Sequence, residues 1–467
     1  MPFGKLRIAA LVLASLVVTP VATQAESLSD AMVSAYRSSG LLDQQRALLR
    51  VRDEDVAVAV AATRPVLNYA ISSTLNVANN SLVGVGATLS ASMALTASYT
   101  IFDFGRGELG IDLARENVLM TRDALVGVEQ GVILRAVSAF LAVRSAHETA
   151  MLQANNVRVI TEQLRAARDR FEVGEITQTD VSLAEAALAG AKSAEAAARG
   201  QLMVAREEYK AAIGHYPNGL RVPPAAPMTA RSLAEAKALA RTRHPDVRAA
   251  QRAVSVAEIA TEIAKKSMLP TLSADASLSV SNTNPAPPSG INSPAASVGL
   301  TLAGPIYQGG RLSALYRQAK AQVEAARAAL HIAVQSVEQE VANAWAQLAV
   351  AQASIQATDQ QIRASRVALR GAREEQTLGT RTTLEVLTFE QDLLDAQAAR
   401  ISAQSDQYLA IYNLLSAMGM LTAEHLRLGI ATYDPEAYYD AVKSAPVHNI
   451  SPQGERLESM LEALHKK

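Results

Sequence analysis

Two stretches of the chain alternate apolar and polar residues with a period of two. In the first, Leu67, Tyr69, Ile71, Leu75 and Val77 share one parity, and Asn68, Ser72, Thr74 and Asn76 the other. The next sets Leu89, Met93, Leu95, Tyr99 and Ile101 against Thr88, Ser90, Ser92, Thr96, Ser98 and Thr100. Asn79-Asn80-Ser81 and the glycines Gly84 and Gly86 mark a loop between them. The pattern recurs later, with Leu272, Ala274, Ala276, Leu278 and Val280 opposing Ser273, Asp275, Ser277 and Ser279, followed by Val298, Leu300 and Leu302 opposing Ser297, Gly299 and Thr301. Strands are therefore expected over residues 66–78, 87–102, 271–281 and 295–306. One apolar face and one small, uncharged polar face fit a transmembrane β-barrel strand with lipid outside and water inside. A soluble sheet with one wet face alternates in the same way, so alternation alone leaves both readings open.

Each strand pair is followed by a very long helical pattern. No proline lies between Pro65 and Pro217 or between Pro305 and Pro435. Proline-free runs of that length suit long helices, because an interior proline costs ~3 kcal/mol. The first hairpin is expected over residues 107–213, turning at Val173-Gly174-Glu175, and the second over 312–418, turning at Leu378-Gly379-Thr380. A helix from 107 to 171 would reach ~100 Å at the standard rise. Helices of that length pack as coiled coils, and abundant alanine permits close approach. Residues 28–63 read as one further helix stopped at Pro65.

These elements form one unit written twice, over residues 27–214 and 232–419. Arg106 and Arg311, Gly174 and Gly379, and Gly214 and Gly419 each stand 205 residues apart. A period of this length is a duplicated half-molecule, not a solenoid repeat. The expected organisation is a first repeat at 26–214, a linker at 215–231 containing Pro217, Pro223, Pro224 and Pro227, a second repeat at 232–419, and a tail at 420–467 outside the duplication, a peripheral cover or partly disordered.

Residues 1–25 read as an export signal: Lys5 and Arg7 precede an apolar core at 8–18, and Thr23-Gln24-Ala25 offers small residues for cleavage. The core is shorter than the ~20 residues a membrane-spanning helix needs. No later segment holds 18 consecutive apolar residues. The absence of cysteine excludes disulfides, thiolate metal sites, a cysteine nucleophile and an acylated N-terminal cysteine. With a net charge of −1 and no concentrated basic stretch, nothing suggests nucleic acid as a partner.

Four strands cannot close a barrel, the smallest of which has eight. Open edges in lipid leave unpaired backbone groups at several kcal/mol each. If these strands lie in a membrane, the chain must therefore oligomerise; two copies would supply eight strands and three would supply twelve. The helices would then extend the cylinder on the side where the chain ends lie.

The duplication, the export signal, the strand pairs, the turns Phe102-Asp103-Phe104-Gly105-Arg106 and Tyr307-Gln308-Gly309-Gly310-Arg311, and the glycine-containing tips together resemble the TolC family over about residues 27–430. The family turn is aromatic-Asp-Gly-Gly-Arg; Phe104 replaces one glycine here and Gln308 replaces the aspartate. The resemblance implies an α+β membrane protein, a homotrimer whose twelve-stranded barrel sits in the lipid of a Gram-negative outer membrane above a twelve-helix periplasmic tunnel. It implies a passive duct for type I secretion or multidrug efflux, or both, partnered by a periplasmic adaptor (membrane fusion) protein and an inner-membrane ABC or RND pump. The missing lipid-anchor cysteine and the extra tail lean, by analogy, toward the secretion or shared branch.

By the same resemblance, Asp180, Arg381 and Gln376 fall at latch positions of the periplasmic entrance, with the arginine pairing with the aspartate. Glu385 falls at an acidic ring position, and Thr388 replaces a second acid, so the ring field and block by multivalent cations are expected to be weak. Val173, Gly174, Leu378 and Gly379 fall at adaptor-docking tips. Local chemistry gives another reading: Thr177-x-x-Asp180 and Thr382-x-x-Glu385 are capping boxes that would start the return helices. Arg381 serves no cap. The tip glycines also suit helix-ending left-handed conformations.

An alternative is a soluble periplasmic coiled-coil adaptor or scaffold, although adaptors carry one hairpin where this chain has two. An enzyme fits worse. His147, His215, His244, His331, His425, His448 and His465 show no metal-ligand spacing, and no nucleophile elbow or phosphate loop is present. No cofactor is expected, catalytic or otherwise.

Overall fold

The computed structural model describes residues 25–80, 84–224, 230–284 and 293–446, together with residues 459, 462 and 463. The expected export signal lies outside these residues except for Ala25, as do the centres of both strand-connecting loops. The described elements run α1 (Leu28–Ser38), α2 (Gly40–Ala61), β1 (Val66–Asn80), β2 (Gly84–Phe102), α3 (Arg106–Glu172), α4 (Gln178–Ile213), α5 (Leu233–Arg243), α6 (Pro245–Lys266), β3 (Thr271–Asn284), β4 (Ser293–Ala303), α7 (Arg311–Thr377), α8 (Thr383–Ala417) and α9 (Pro435–Val442).

The strands form one antiparallel sheet in the order β1-β2-β3-β4. The register aligns like with like. Tyr69 faces Leu95, which faces Leu278; Ile71 faces Met93, which faces Val280. On the alternate parity Asn68 faces Thr96, then Ser277, then Ser297. Serine hydroxyls pair across strands on this face, Ser72 with Ser92 at 2.7 Å and Ser277 with Ser297 at 2.8 Å. The apolar rows, including Leu67, Tyr69, Ile71, Met93, Leu95 and Leu300, are exposed in the single chain. β1 and β4 each leave an unpaired edge among the described residues. Three strands run further than their alternation suggested. β4 instead ends at Ala303 rather than 306, because Pro305 lacks the amide a ladder needs.

Helices α3 and α7 each span 67 residues and begin 205 residues apart. Each starts after a left-handed turn, but the two copies hold it differently. The Asp103 carboxylate accepts from the amides of Gly105, Arg106 and Gly107 at 3.0, 3.1 and 2.7 Å, capping α3. Phe104 adopts φ 60 there, a conformation glycine takes at Gly309 in the second copy, and its ring packs on Phe102 at 4.7 Å. Among the described residues, Gln308 offers its side-chain oxygen only to the Arg311 guanidinium, at 2.8 Å. Asp103→Ala should therefore lower stability by about 1–2 kcal/mol per chain, the scale of a lost N-cap. Gln308→Ala should cost much less, as denaturation midpoints in detergent will report.

The expected single helix over 28–63 is two helices, α1 and α2, broken at Ser39. Ser39 takes an extended conformation (φ −75, ψ 107) and its hydroxyl accepts from the Leu42 amide, starting α2. The equivalent break in the second copy falls at His244, immediately before Pro245. The break lets α1 pack on α3 and α4 while α2 runs along α3. One core gathers α1, α2, the middle of α3 and α7 and the ends of α4 and α8. An 18-residue apolar window within α3, with mean hydropathy 1.6, is half buried; α3 contributes Ile133, Ala136, Val137 and Phe140 to that core.

Over residues 420–446 the tail is fastened by arginines and tyrosines. Arg46 lies over the rings of Tyr36 and Tyr433, at 5.3 and 5.5 Å. Arg122 lies over Tyr439 at 5.3 Å and donates to the Pro435 carbonyl at 3.1 Å. The Tyr438 hydroxyl donates to Glu54 at 2.7 Å, and the Ala423 amide to Glu129 at 2.7 Å. Asp53 of α2 is fully buried, with neither carboxylate oxygen hydrogen-bonded among the described residues. Burial pushes its carboxyl from 3.8 up to about 7, against the opposing pull of Arg122. The folded chain thus holds a proton that the unfolded chain releases between these values, so this group adds stability as pH falls through that window. Asp53→Asn should raise stability near neutral pH and above, and flatten the pH dependence. Comparing variant with wild type separates this effect from His244, whose buried ring resists protonation and acts with the opposite sign.

Candidate functional site

The far ends of the two hairpins are built alike. Small apolar clusters close each tip at equivalent positions: Leu164, Ala167 and Val181 in the first, Leu369, Ala372 and Val386 in the second. An ion pair bridges the two helices of each hairpin behind the tip. Arg168 meets Glu185 at 2.6 Å, and Arg373 meets Glu390, the same positions 205 residues on. Helix α3 ends through Gly174 (φ 77), with the Glu175 amide donating to the Arg170 carbonyl at 2.9 Å. Helix α7 ends through Gly379 (φ 75), with the Thr380 amide donating to the Glu375 carbonyl at 3.0 Å. Left-handed φ explains glycine at both tips. Val173 and Leu378, beside these glycines, are 71% and 79% exposed, so the turn of each tip presents an apolar side chain to its surroundings.

Both capping boxes form. The Asp180 carboxylate accepts from the Thr177 amide at 3.0 Å and from its hydroxyl at 2.7 Å. Glu385 accepts from the Thr382 amide and hydroxyl, each at 2.9 Å. Those hydrogen bonds hold both carboxyls below the usual carboxylate range. The caps therefore contribute stability at neutral pH and lose it only as pH falls through the lowered values.

Arg381 has its partners within its own hairpin. It meets Glu375 at 2.6 Å and Glu385 at 3.1 Å, and lies over the Phe389 ring at 5.4 Å. It makes no ion pair with Asp180 inside the chain among the described residues, where the Asp180 carboxylate is held by the Thr177 amide and hydroxyl. Gln376 donates weakly to the Thr383 hydroxyl at 3.5 Å. Thr388 is exposed, and its hydroxyl donates to the Leu384 carbonyl at 3.0 Å. Glu375 and Arg170 had not been singled out from the sequence. Placing the two copies in register at 205 residues would have exposed them, because Arg170 stands where the second copy has Glu375.

A family model described as outer membrane efflux protein matches the chain twice, over residues 32–215 and 237–420, reproducing the internal duplication. Outer membrane efflux protein BepC of Brucella suis is 35% identical over 435 residues, covering 93% of this chain and 94% of that protein. Outer membrane protein TolC of Escherichia coli is 25% identical over 434 residues, 86% of this chain and 84% of the other. Among solved structures, CusC, described with conformational changes accompanying folding and transmembrane channel formation, superposes with a TM-score of 0.74. That match has 19% identity over 84% of this chain and 92% of CusC, and establishes a shared fold.

Proposed function

The chain belongs to the outer membrane efflux protein family, as an outer-membrane channel of multidrug efflux or type I secretion, and from that premise we propose that three copies close one duct. The observation that carries this reading is the four-stranded sheet. It has apolar rows on one face, hydroxyl rows on the other and unpaired edges at β1 and β4, and continues directly into two 67-residue helices. Pairing β4 of one copy with β1 of the next removes every edge, as lipid requires. Three copies give a twelve-stranded barrel with the hydroxyl face lining water, above twelve long helices.

In this reading the tips meet a periplasmic adaptor protein through Val173-Gly174 and Leu378-Gly379, and an inner-membrane ABC or RND pump supplies energy and selects substrate. The channel itself performs no chemistry. As the family resemblance implies, Arg381 pairs with Asp180 of the adjacent protomer, in addition to its intrachain partners Glu375 and Glu385. Exposed pairs of this kind are worth ~0–1 kcal/mol each. A ring of them closes the entrance reversibly, and an adaptor with a few kcal/mol of differential affinity opens it.

Purified whole protein in a planar bilayer tests the proposal. It should form small channels; absence of any conductance from a correctly assembled oligomer would remove it. A single acid per chain at the ring positions, Glu385 with Thr388 in place of a second, predicts weak block by a trivalent lanthanide ion. Thr388→Asp should tighten that block on the order of tenfold by doubling the local carboxylates. An unchanged titration would place Thr388 away from the ion path.

A further inference from the structure

Each tip carries an ion pair across its turn, and the residue that starts it stands at the same position of the repeat with opposite charge. In the first, Arg170 at the end of α3 crosses the turn to Glu175 at 3.3 Å. In the second, Glu375 at the end of α7 crosses the turn to Arg381 at 2.6 Å. Arg170 and Glu375 are equivalent residues, 205 apart and opposite in charge, whereas the far ends of the two staples are not equivalent, since Glu175 corresponds to Thr380. The neighbouring positions diverged with it: Phe171 faces Gln376 in the alignment of the copies, and Ile176 faces Arg381. Ile176 packs on the apolar cluster of the first tip, where the second tip places its charged group.

Arg170 does more than close its own turn. Its second guanidinium nitrogen donates to the backbone carbonyl of Gln376, at 3.4 Å, in the last turn of α7. A guanidinium at that place meets the negative end of a helix dipole, and it shares the carbonyl with the Gly379 amide, which donates to it at 3.0 Å. One side chain thus bridges Glu175 of the first tip and the end of the second hairpin. The returning helices α4 and α8 of the two hairpins also contact each other.

We propose that Arg170 is a second latch residue, tying the two hairpins of one protomer together at the tip. It complements Arg381, which the proposed function assigns to the contact between protomers. The inference rests on that function for its consequence, since a tunnel entrance can widen at the tip only if neighbouring hairpins separate. It rests on the intrachain geometry for its existence. Backbone acceptance at Gln376 makes the contact insensitive to that residue's side chain, so the latch assignment moves from Gln376 itself to the arginine that reaches its carbonyl.

The test uses whole protein in detergent and in planar bilayers. The chain has no cysteine, so Val173→Cys with Leu378→Cys gives two spin labels on the exposed tip residues for distance measurement. Arg170→Ala should broaden the tip-to-tip distance distribution, Arg170→Lys should restore most of it, and Val181 and Val386 packing should keep oligomer yield unchanged. In the bilayer, Arg170→Ala should raise the open fraction on the order of tenfold if three copies each lose a contact of exposed ion-pair size. Adding Arg381→Ala should open the channel further than either change alone. Distances and conductance both unchanged in Arg170→Ala would overturn the inference. Broadened distances in a protein that never conducts would keep the tether and remove the channel reading instead.

Discussion

Met93→Arg should abolish assembly of the protein in the outer membrane, whereas Thr96→Arg should leave it largely intact. Both residues lie on β2, three apart and therefore on opposite faces. Met93 is exposed at the centre of the strand, between Ile71 and Val280, on the apolar face. Thr96 sits between Asn68 and Ser277 on the hydroxyl face. An arginine on the lipid side near the bilayer midplane costs about 2–4 kcal/mol, and every copy in the ring bears it. On the water side the same side chain remains hydrated. The readout is the amount of heat-resistant oligomer recovered from outer-membrane fractions. Equal recovery of both variants would mean that neither face meets lipid, and loss of Thr96→Arg alone would mean that the faces are reversed.

Arg381→Ala should convert small channels into larger ones. In the chain the guanidinium is held by Glu375 and Glu385 and rests on Phe389, so its removal leaves two carboxylates near the entrance without their cation. Across a ring, losing one contact of ~0.5–1 kcal/mol per copy shifts a closed-to-open balance by about tenfold or more. Conductance should rise and become more cation-selective, since Glu375 and Glu385 are then uncompensated. Asp180→Asn offers a contrast, because its carboxylate also caps α4. That variant should combine a higher open fraction with a loss of about 1 kcal/mol from the cap. Arg381→Ala should leave stability nearly unchanged. Wild-type conductance in Arg381→Ala would place the latch elsewhere.

Much of this architecture was legible because the bilayer and the long helices leave periodic marks. A lipid-facing strand must alternate, and Leu67 through Val77 and Leu89 through Ile101 do so without interruption by charge. A 67-residue helix must exclude proline, and both do. The 205-residue offset located the tips from their glycines alone. What stayed hidden depended on contacts between segments distant in sequence. Ser39 was absorbed into one long helix because serine and glycine interrupt a helical pattern only weakly, although its counterpart before Pro245 carried a plain stop. Asp53 looked like one more charge on a mixed helix, and only the packing of α3 and the tail against α2 makes it a buried carboxyl. Tyr433, Tyr438 and Tyr439 were visible as residues, but their arginine partners lie more than 300 positions earlier. At the tips the caps were readable from Thr177 and Thr382, whereas the bridge from Arg170 to a backbone carbonyl leaves no mark on the residue that accepts it.

The subunit count of the detergent-extracted particle tests the central claim most directly, since barrel closure by four-stranded sheets depends on it. Native mass measurement of the whole protein should find three copies, stable until heated and lost when detergent is withdrawn. Two copies would give an eight-stranded cylinder and contradict the twelve-stranded duct, and a monomer soluble without detergent would contradict the membrane barrel altogether.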